Sequence, residues 1–135
     1  MKLTRIAILI LISFALIQPV FAQSNEPLAI VMTADGPIMP PMLEYFRRGI
    51  KAAEQQNAEV LIIQLNTPGG SVDTMLEIIT EIRASTVPVV VYVSPNDAIA
   101  GSAGALITMA GHASAMAPRT AIGASSPIES SGADI

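Results

Sequence analysis

Hydrophobic positions along the chain switch between short unbroken runs and helical spacing, with a turn signal at nearly every switch. Leu28 to Thr33 predicts a first strand, closed by the turn Asp35-Gly36-Pro37. Pro40-Pro41 suits the first turn of a helix, where no intrahelical N–H is required. Met42, Tyr45, Phe46, Ile50 and Ala53 then recur at helical spacing, with Arg47, Arg48, Lys51 and Glu54 on the other side. Glu59 to Leu65 is apolar at nearly every position, as expected of a strand covered on both faces. It stops at Asn66-Thr67-Pro68-Gly69-Gly70. Val72, Met75, Leu76, Ile79 and Ile82 predict the apolar face of a second helix. Val87 to Val93 is another buried-type strand, and Ser94-Pro95-Asn96-Asp97 is a turn. A small-residue helix is expected from about Ala100 to Ala110, then extended pieces at Ala113–Met116 and Ala121–Gly123. Strands and helices alternating at these lengths predict repeated βαβ or ββα units in an α/β layered core.

The first 22 residues stand outside this pattern. Lys2 and Arg5 make a basic start, Ile6 to Ile17 is apolar but for Ser13, and Val20-Phe21-Ala22 is a small-residue cleavage pattern. Residues 1–22 are therefore expected to be a secretory signal peptide, followed by a polar linker over residues 23–27 and a domain over residues 28–135. The apolar run is short for a bilayer span, although an uncleaved anchor has the same start. Ala98 to Ala117 carries only His112 as an ionisable group, yet it is rich in Ala, Gly and Ser and gains little from lipid. That segment is expected to pack inside the domain. The tail Glu129 to Ile135 is polar, lacks a structural stop and is read as an interruption.

Charge and composition narrow the chemistry. Losing Lys2 and Arg5 with the leader leaves five basic against eleven acidic groups, a formal net charge of −6. Such a domain lacks the basic surface that would neutralise phosphates, so nucleic acid is not an expected partner. The absence of cysteine removes disulfides and thiolate metal sites, and one histidine cannot form a typical zinc site. No metal or other cofactor is expected.

Two glycine-marked sites follow consecutive buried strands. At Asn66-Thr67-Pro68-Gly69-Gly70 the turn opens into a helix whose free N–H groups can face an oxyanion. The same pattern also suits an ordinary strand-to-helix turn. No Gly-Lys-Ser/Thr ending is present, so it is not a phosphate-binding loop. At Ala100-Gly101-Ser102-Ala103-Gly104 a serine sits at a helix start among residues too small to shield it. It is a candidate nucleophile, although a serine in a tightly packed Gly/Ala helix has the same spelling. Ala100 also replaces the first glycine of the Gly-x-Ser-x-Gly motif. A base is harder to find. His112 lies ten residues on, roughly 15 Å away along a continuous helix at about 1.5 Å per residue, and is expected to be structural near a helix C-terminus. Lys51 reads as a solvated surface charge, and no base candidate follows Ser102.

Together, Leu61 to Gly70, Pro88 to Val93, Ala100 to Gly104 and His112 to Pro118 closely resemble the NfeD family of membrane-associated serine peptidases. Ile122-Gly123-Ala124-Ser125-Ser126-Pro127 extends the likeness, which covers roughly residues 28 to 128. The resemblance implies a Clp-peptidase/crotonase-like spiral of ββα units, incomplete at the C-terminus, and a Ser-Lys dyad. It makes Ser102 the nucleophile and assigns the oxyanion hole to the backbone N–H groups of Gly70 and Ala103, with Gly69 setting the turn. The family's lysine falls beyond residue 135, so the resemblance leaves no catalytic base in this chain. It further implies membrane spans downstream, an exported location on the extracytoplasmic face, a homo-oligomer when complete, and an apolar, stomatin-like membrane protein as substrate. Two other functions share the pattern. One is a non-catalytic membrane scaffold that has lost the lysine and partners a stomatin-like protein. The other is a crotonase-like acyl-CoA enzyme, which export and the shortage of basic residues disfavour.

Overall fold

The computed structural model describes residues 26–125 of the chain. The expected signal peptide, most of the linker and the polar tail lie outside the described residues. Six strands and three helices follow one another as β1 (Ala29–Asp35), α1 (Pro40–Gln55), β2 (Val60–Asn66), α2 (Val72–Ala84), β3 (Val89–Val93), β4 (Ile99–Gly101), α3 (Ala103–Ala110), β5 (Ala113–Met116) and β6 (Ala121–Gly123). A four-stranded parallel sheet has the order β1-β2-β3-β5, and a separate parallel ribbon pairs β4 with β6. Parallel pairing needs a crossover between neighbours, and α1, α2 and the β4–α3 segment supply the three crossovers.

The helices cover one face of the main sheet. On that face Met32, Ala34, Leu61, Ile63, Leu65, Val89, Val91 and Val93 are all buried, facing Phe46, Ile50, Ile78, Ile82 and Ile107. Every second residue of β2 and β3 is only half-buried, and Val31 of β1 is 55% exposed. The apolar run in β2 therefore does not signal cover on both faces within the described residues. β-branched side chains at alternate positions also suit the open, half-wetted side of a pleated strand.

The helix faces are rotated slightly from their predicted positions. In α1 the buried stripe is Leu43, Phe46, Ile50 and Ala53, with Met42 and Tyr45 at its margin. In α2 the buried residues are Thr74, Met75, Ile78 and Ile82, whereas Val72 and Leu76 are 63% and 53% exposed. The rotation brings Glu77 and Glu81 over Arg47 of α1. Its guanidinium donates to Glu81 at 2.7 Å, to Glu77 at 3.0 Å and to Glu44 at 2.7 Å. The Glu81 bond, followed by that to Glu44, raises the Arg47 pKa above its ordinary value. Lys51 is exposed on the outer side of α1, as its position in the pattern predicts.

The small-residue segment divides in two. Ala100 and Gly101 belong to the short strand β4, and helix α3 begins only at Ala103. The backbone of Thr67 takes up β4: Thr67 N–H donates to the Ile99 carbonyl at 2.7 Å and its carbonyl accepts from Gly101 at 2.9 Å. Pairing with the end of β2 thus overrides helix propensity in two residues of low β preference. Among the described residues no helix is long and apolar enough to cross a membrane.

A one-sided sheet makes unequal demands on neighbouring residues. Ile63→Ala is expected to cost about 2–5 kcal/mol in denaturant unfolding, and Ile62→Ala less than half as much. Equal losses would show that the open face is packed in solution.

Candidate active site

The site is assembled where β2 and β4 end. Thr67 is fully buried there, and its hydroxyl oxygen accepts the Gly69 N–H at 3.1 Å. This local bond folds Thr67-Pro68-Gly69 into a tight turn that places Gly69 at φ +110°, a region side-chain-bearing residues rarely occupy. A Cβ on Gly69 would stand 2.8 Å from the Ser102 Cβ, 3.0 Å from the Gly101 carbonyl and 3.4 Å from the Ala103 nitrogen. Gly70 is crowded on its other side, where a Cβ would run into the Ile38 backbone. Ile38 holds the turn from outside, donating its N–H to Gly69 at 2.8 Å and accepting from Ser71 at 2.8 Å. Ser71 then caps α2 through the Thr74 N–H.

Ser102 is the hinge between β4 and α3, with φ 49° and ψ −115°. A non-glycine residue held there stores strain that its surroundings must fix. Three backbone bonds do so: Gly101 N–H to Thr67 at 2.9 Å, Ser102 N–H to Gly123 at 2.8 Å, and Ala105 N–H to Ser102 at 3.0 Å. The result is a strand, a strained serine and a helix start in direct succession, which the Ala100 spelling does not announce. Ser102 is exposed and Ala103 is buried. The N–H groups of Gly70 and Ala103 have no hydrogen-bond partner among the described residues.

The structure thus brings Gly69, Ser102 and Ala103 into one contact, with Gly70 next in the chain. It places the other candidates elsewhere. His112 follows the C-terminal end of α3, where its Nδ1 accepts the Val89 N–H at 3.1 Å and its own N–H donates to the Val89 carbonyl at 2.9 Å. That pairing ties β5 to β3 at the far end of the helix from Ser102. Lys51 lies on α1.

Two positioning residues escaped the sequence reading. Thr67 is one, since Gly104 of α3 also packs against its methyl group. Asn66 is the other: its side chain accepts from the Ile99 N–H at 3.0 Å and donates to Asp35 at 3.2 Å, joining β1, β2 and β4. A polar residue closing an otherwise apolar strand was the available signal for both. Beside them, on the open face of the sheet, lies a groove of about 700 Å³ that includes Thr33, Gln64, Tyr92 and Asn96.

Comparison with known proteins gives these contacts a setting. A family described as NfeD1b, N-terminal domain, matches residues 31–135. The membrane-bound protease PH1510 of Pyrococcus horikoshii is 41% identical over 124 residues, which is 92% of this chain and 27% of that protein. Membrane protein NfeD1b of Bacillus subtilis is 27% identical over 111 residues, 82% of this chain and 25% of that protein. Among solved structures, a lysine-to-alanine mutant of the 1510-N membrane-bound stomatin-specific protease, in complex with a substrate peptide, superposes with a TM-score of 0.76 at 42% identity. It covers 82% of this chain and 52% of that one. A serine-to-alanine mutant of the same protease gives the same TM-score and identity, over 82% of this chain and 55% of that one. The ClpP catalytic domain of Plasmodium falciparum, at 14% identity and a TM-score of 0.57, covers 65% of this chain and 53% of that one; it shows the Clp-like fold alone. The chain spans about a quarter of the length of these curated relatives and about half of the solved chains.

The close approach at Gly69 is testable. Gly69→Ala is expected to destabilise the chain by about 1–3 kcal/mol, because it combines an unfavourable φ with a collision against Ser102. Thr67→Val removes the bond to Gly69 and is expected to cost about 1–3 kcal/mol for a buried donor left unpaired. Denaturant melts read both, and a loss near zero at either position would contradict this account.

Proposed function

The chain belongs to the NfeD1b family, and on that premise we propose that it works as part of a membrane-associated serine endopeptidase with Ser102 as nucleophile. The observation that carries the proposal is the strained serine at the start of α3, packed against Gly69 and followed by Ala103, whose N–H, like that of Gly70, has no hydrogen-bond partner among the described residues.

In this proposal the Ser102 hydroxyl attacks the scissile carbonyl carbon while a lysine amine, supplied by sequence beyond Ile135, takes its proton. The carbonyl oxygen becomes an anion, and the N–H groups of Gly70 and Ala103 donate to it from two separate elements. Preorganised backbone donors act here because they need no reorganisation as charge develops. Collapse of the intermediate releases the amine product, which receives the proton from lysine. Water then hydrolyses the ester on Ser102 and restores the hydroxyl. Ser102 is exposed at this turn, so its hydroxyl is accessible to a substrate for the first step.

Several further features are proposed alongside. Residues 1–22 act as an export signal, residues 28–135 belong to the peptidase domain, and the site faces the extracytoplasmic side of a membrane. The substrate is an apolar stretch of a stomatin-like membrane protein, by likeness to a relative described as stomatin-specific. The complete protein assembles as a homo-oligomer.

The deciding assay uses the full-length protein that contains this chain and an apolar peptide substrate. Ser102→Ala is expected to lower kcat by about 10⁴-fold or more, the scale on which removing a hydrolase nucleophile acts. Cleavage indifferent to that change would overturn the assignment and favour a scaffold that keeps the fold without the chemistry.

A further inference from the structure

Ser102 depends on a strand that has little hold on the core. Its N–H is fixed by the Gly123 carbonyl at the end of β6, yet β6 is three residues long, pairs with β4 alone among the described residues, and is exposed or half-exposed throughout. A two-stranded ribbon of this size is marginal by itself. Something has to set its register.

At the end of the ribbon away from Ser102, the turn leading into β4 carries Asp97 and the turn leading into β6 carries Arg119. The two side chains meet in a two-pronged ion pair, Nε to Oδ1 at 2.8 Å and Nη2 to Oδ2 at 2.9 Å. Both residues hold left-handed backbones, with φ 67° at Asp97 and φ 62° at Arg119. Asp tolerates that region, but glycine or asparagine is the usual choice where an arginine stands. An arginine there is explained by its reach, since the planar fork fits a carboxylate at two points. Flanking backbone bonds carry the alignment onward: Ala98 N–H donates to Pro95 at 3.1 Å, Thr120 N–H to Ala117 at 3.3 Å and Ala121 N–H to Ala98 at 3.0 Å.

We propose that Asp97 and Arg119 form a positioning clasp that sets β6 against β4 and thereby keeps the Gly123 carbonyl on the Ser102 N–H. Neither residue touches the reacting atoms. The clasp acts through three ribbon pairs, Ile99 with Ala121, Ala100 with Ile122 and Gly101 with Gly123. Its catalytic consequence rests on Ser102 being the nucleophile; its structural consequence does not. The Arg119 bond holds the Asp97 carboxyl below its ordinary value, so the clasp stays formed through the neutral range. Both side chains are about two-thirds exposed, at 66% and 65%, so global stability should depend on them very little.

The test compares Asp97→Ala, Arg119→Gly and the exchanged pair Asp97→Arg with Arg119→Asp, all in the full-length protein. Arg119→Gly relieves the backbone strain while removing the fork, whereas Asp97→Ala removes the pair and keeps the arginine backbone, so comparing the two separates the effects. Each single variant is expected to speed hydrogen exchange at the Ser102 amide by about fivefold, the scale of an exposed ion pair, while exchange at Leu61, Ile63 and Leu65 stays unchanged. It should also lower kcat more than it changes KM, and the exchanged pair should recover both readouts. Unchanged Ser102 exchange in the single variants, or an exchanged pair that stays as fast as they are, would overturn the clasp. Faster exchange with unaltered kcat would overturn its catalytic role. Ser102→Ala alone reports on the nucleophile, so the two ideas fail separately.

Discussion

Where β2 meets the start of α3 there is room for main chain and nothing more. Gly69 lies against Ser102 and Ala103, Gly101 lies against Pro68, and Gly104 lies against the methyl of Thr67. Three glycines let two successive loops approach closely enough for Thr67 to bond both the turn after β2 and the strand before α3. The start of α3 and the strain at Ser102 both follow from that contact. Side chains at those glycines would separate the loops and leave a serine beside an ordinary helix.

The rest of the fold can be understood as support for this junction. The main sheet presents Leu61, Ile63 and Leu65 to the helices, so the end of β2 is anchored by its deepest residues. Ile38 stitches the first crossover to Gly69 and Ser71. On the outer surface Arg47 draws together three carboxylates from α1 and α2. Its exposure makes this an alignment of two helices rather than a large source of stability. The Asp97–Arg119 pair is exposed in the same way.

In the proposed chemistry the junction would supply a nucleophile and oxyanion donors but, among the described residues, no proton acceptor, and the division has a physical basis. Backbone donors and a strained serine can be built from one strand-to-helix turn packed on another, within the reach of local crossovers. A general base for the proposed chemistry would approach the hydroxyl from outside those turns, because Asn66-Thr67-Pro68-Gly69-Gly70 and Ala100-Gly101-Ser102-Ala103-Gly104 carry no titratable side chain suited to the task. His112 shows the limit: it is near in sequence, yet eight helical residues carry it to the other end of α3, where it serves β3 instead.

Much of this was legible in the residues themselves. Proline and glycine mark the turns, two periods separate strands from helices, and small residues flank Ser102; these signals are local, so a linear chain displays them. The likeness to a known family was carried by the same stretches. What the sequence could not display was orientation. The predicted helix face took in Val72 and Leu76, and only packing on α1 and α3 decided that Thr74 and Ile78 would be buried in their place. The apolar run of β2 was equally consistent with one covered face or two, since alternate Ile and Val side chains suit either. Ala100 and Gly101 favour no strand by themselves and became one because Thr67 offered both a donor and an acceptor. The chain alone determined the order of elements and marked Ser102 as a candidate between small residues at a helix start, because those rest on local conformational preference. Tertiary structure alone decided the strain at Ser102, the pairing of Asp97 with Arg119 and the role of Thr67, because each depends on groups far apart in sequence meeting at a few ångströms.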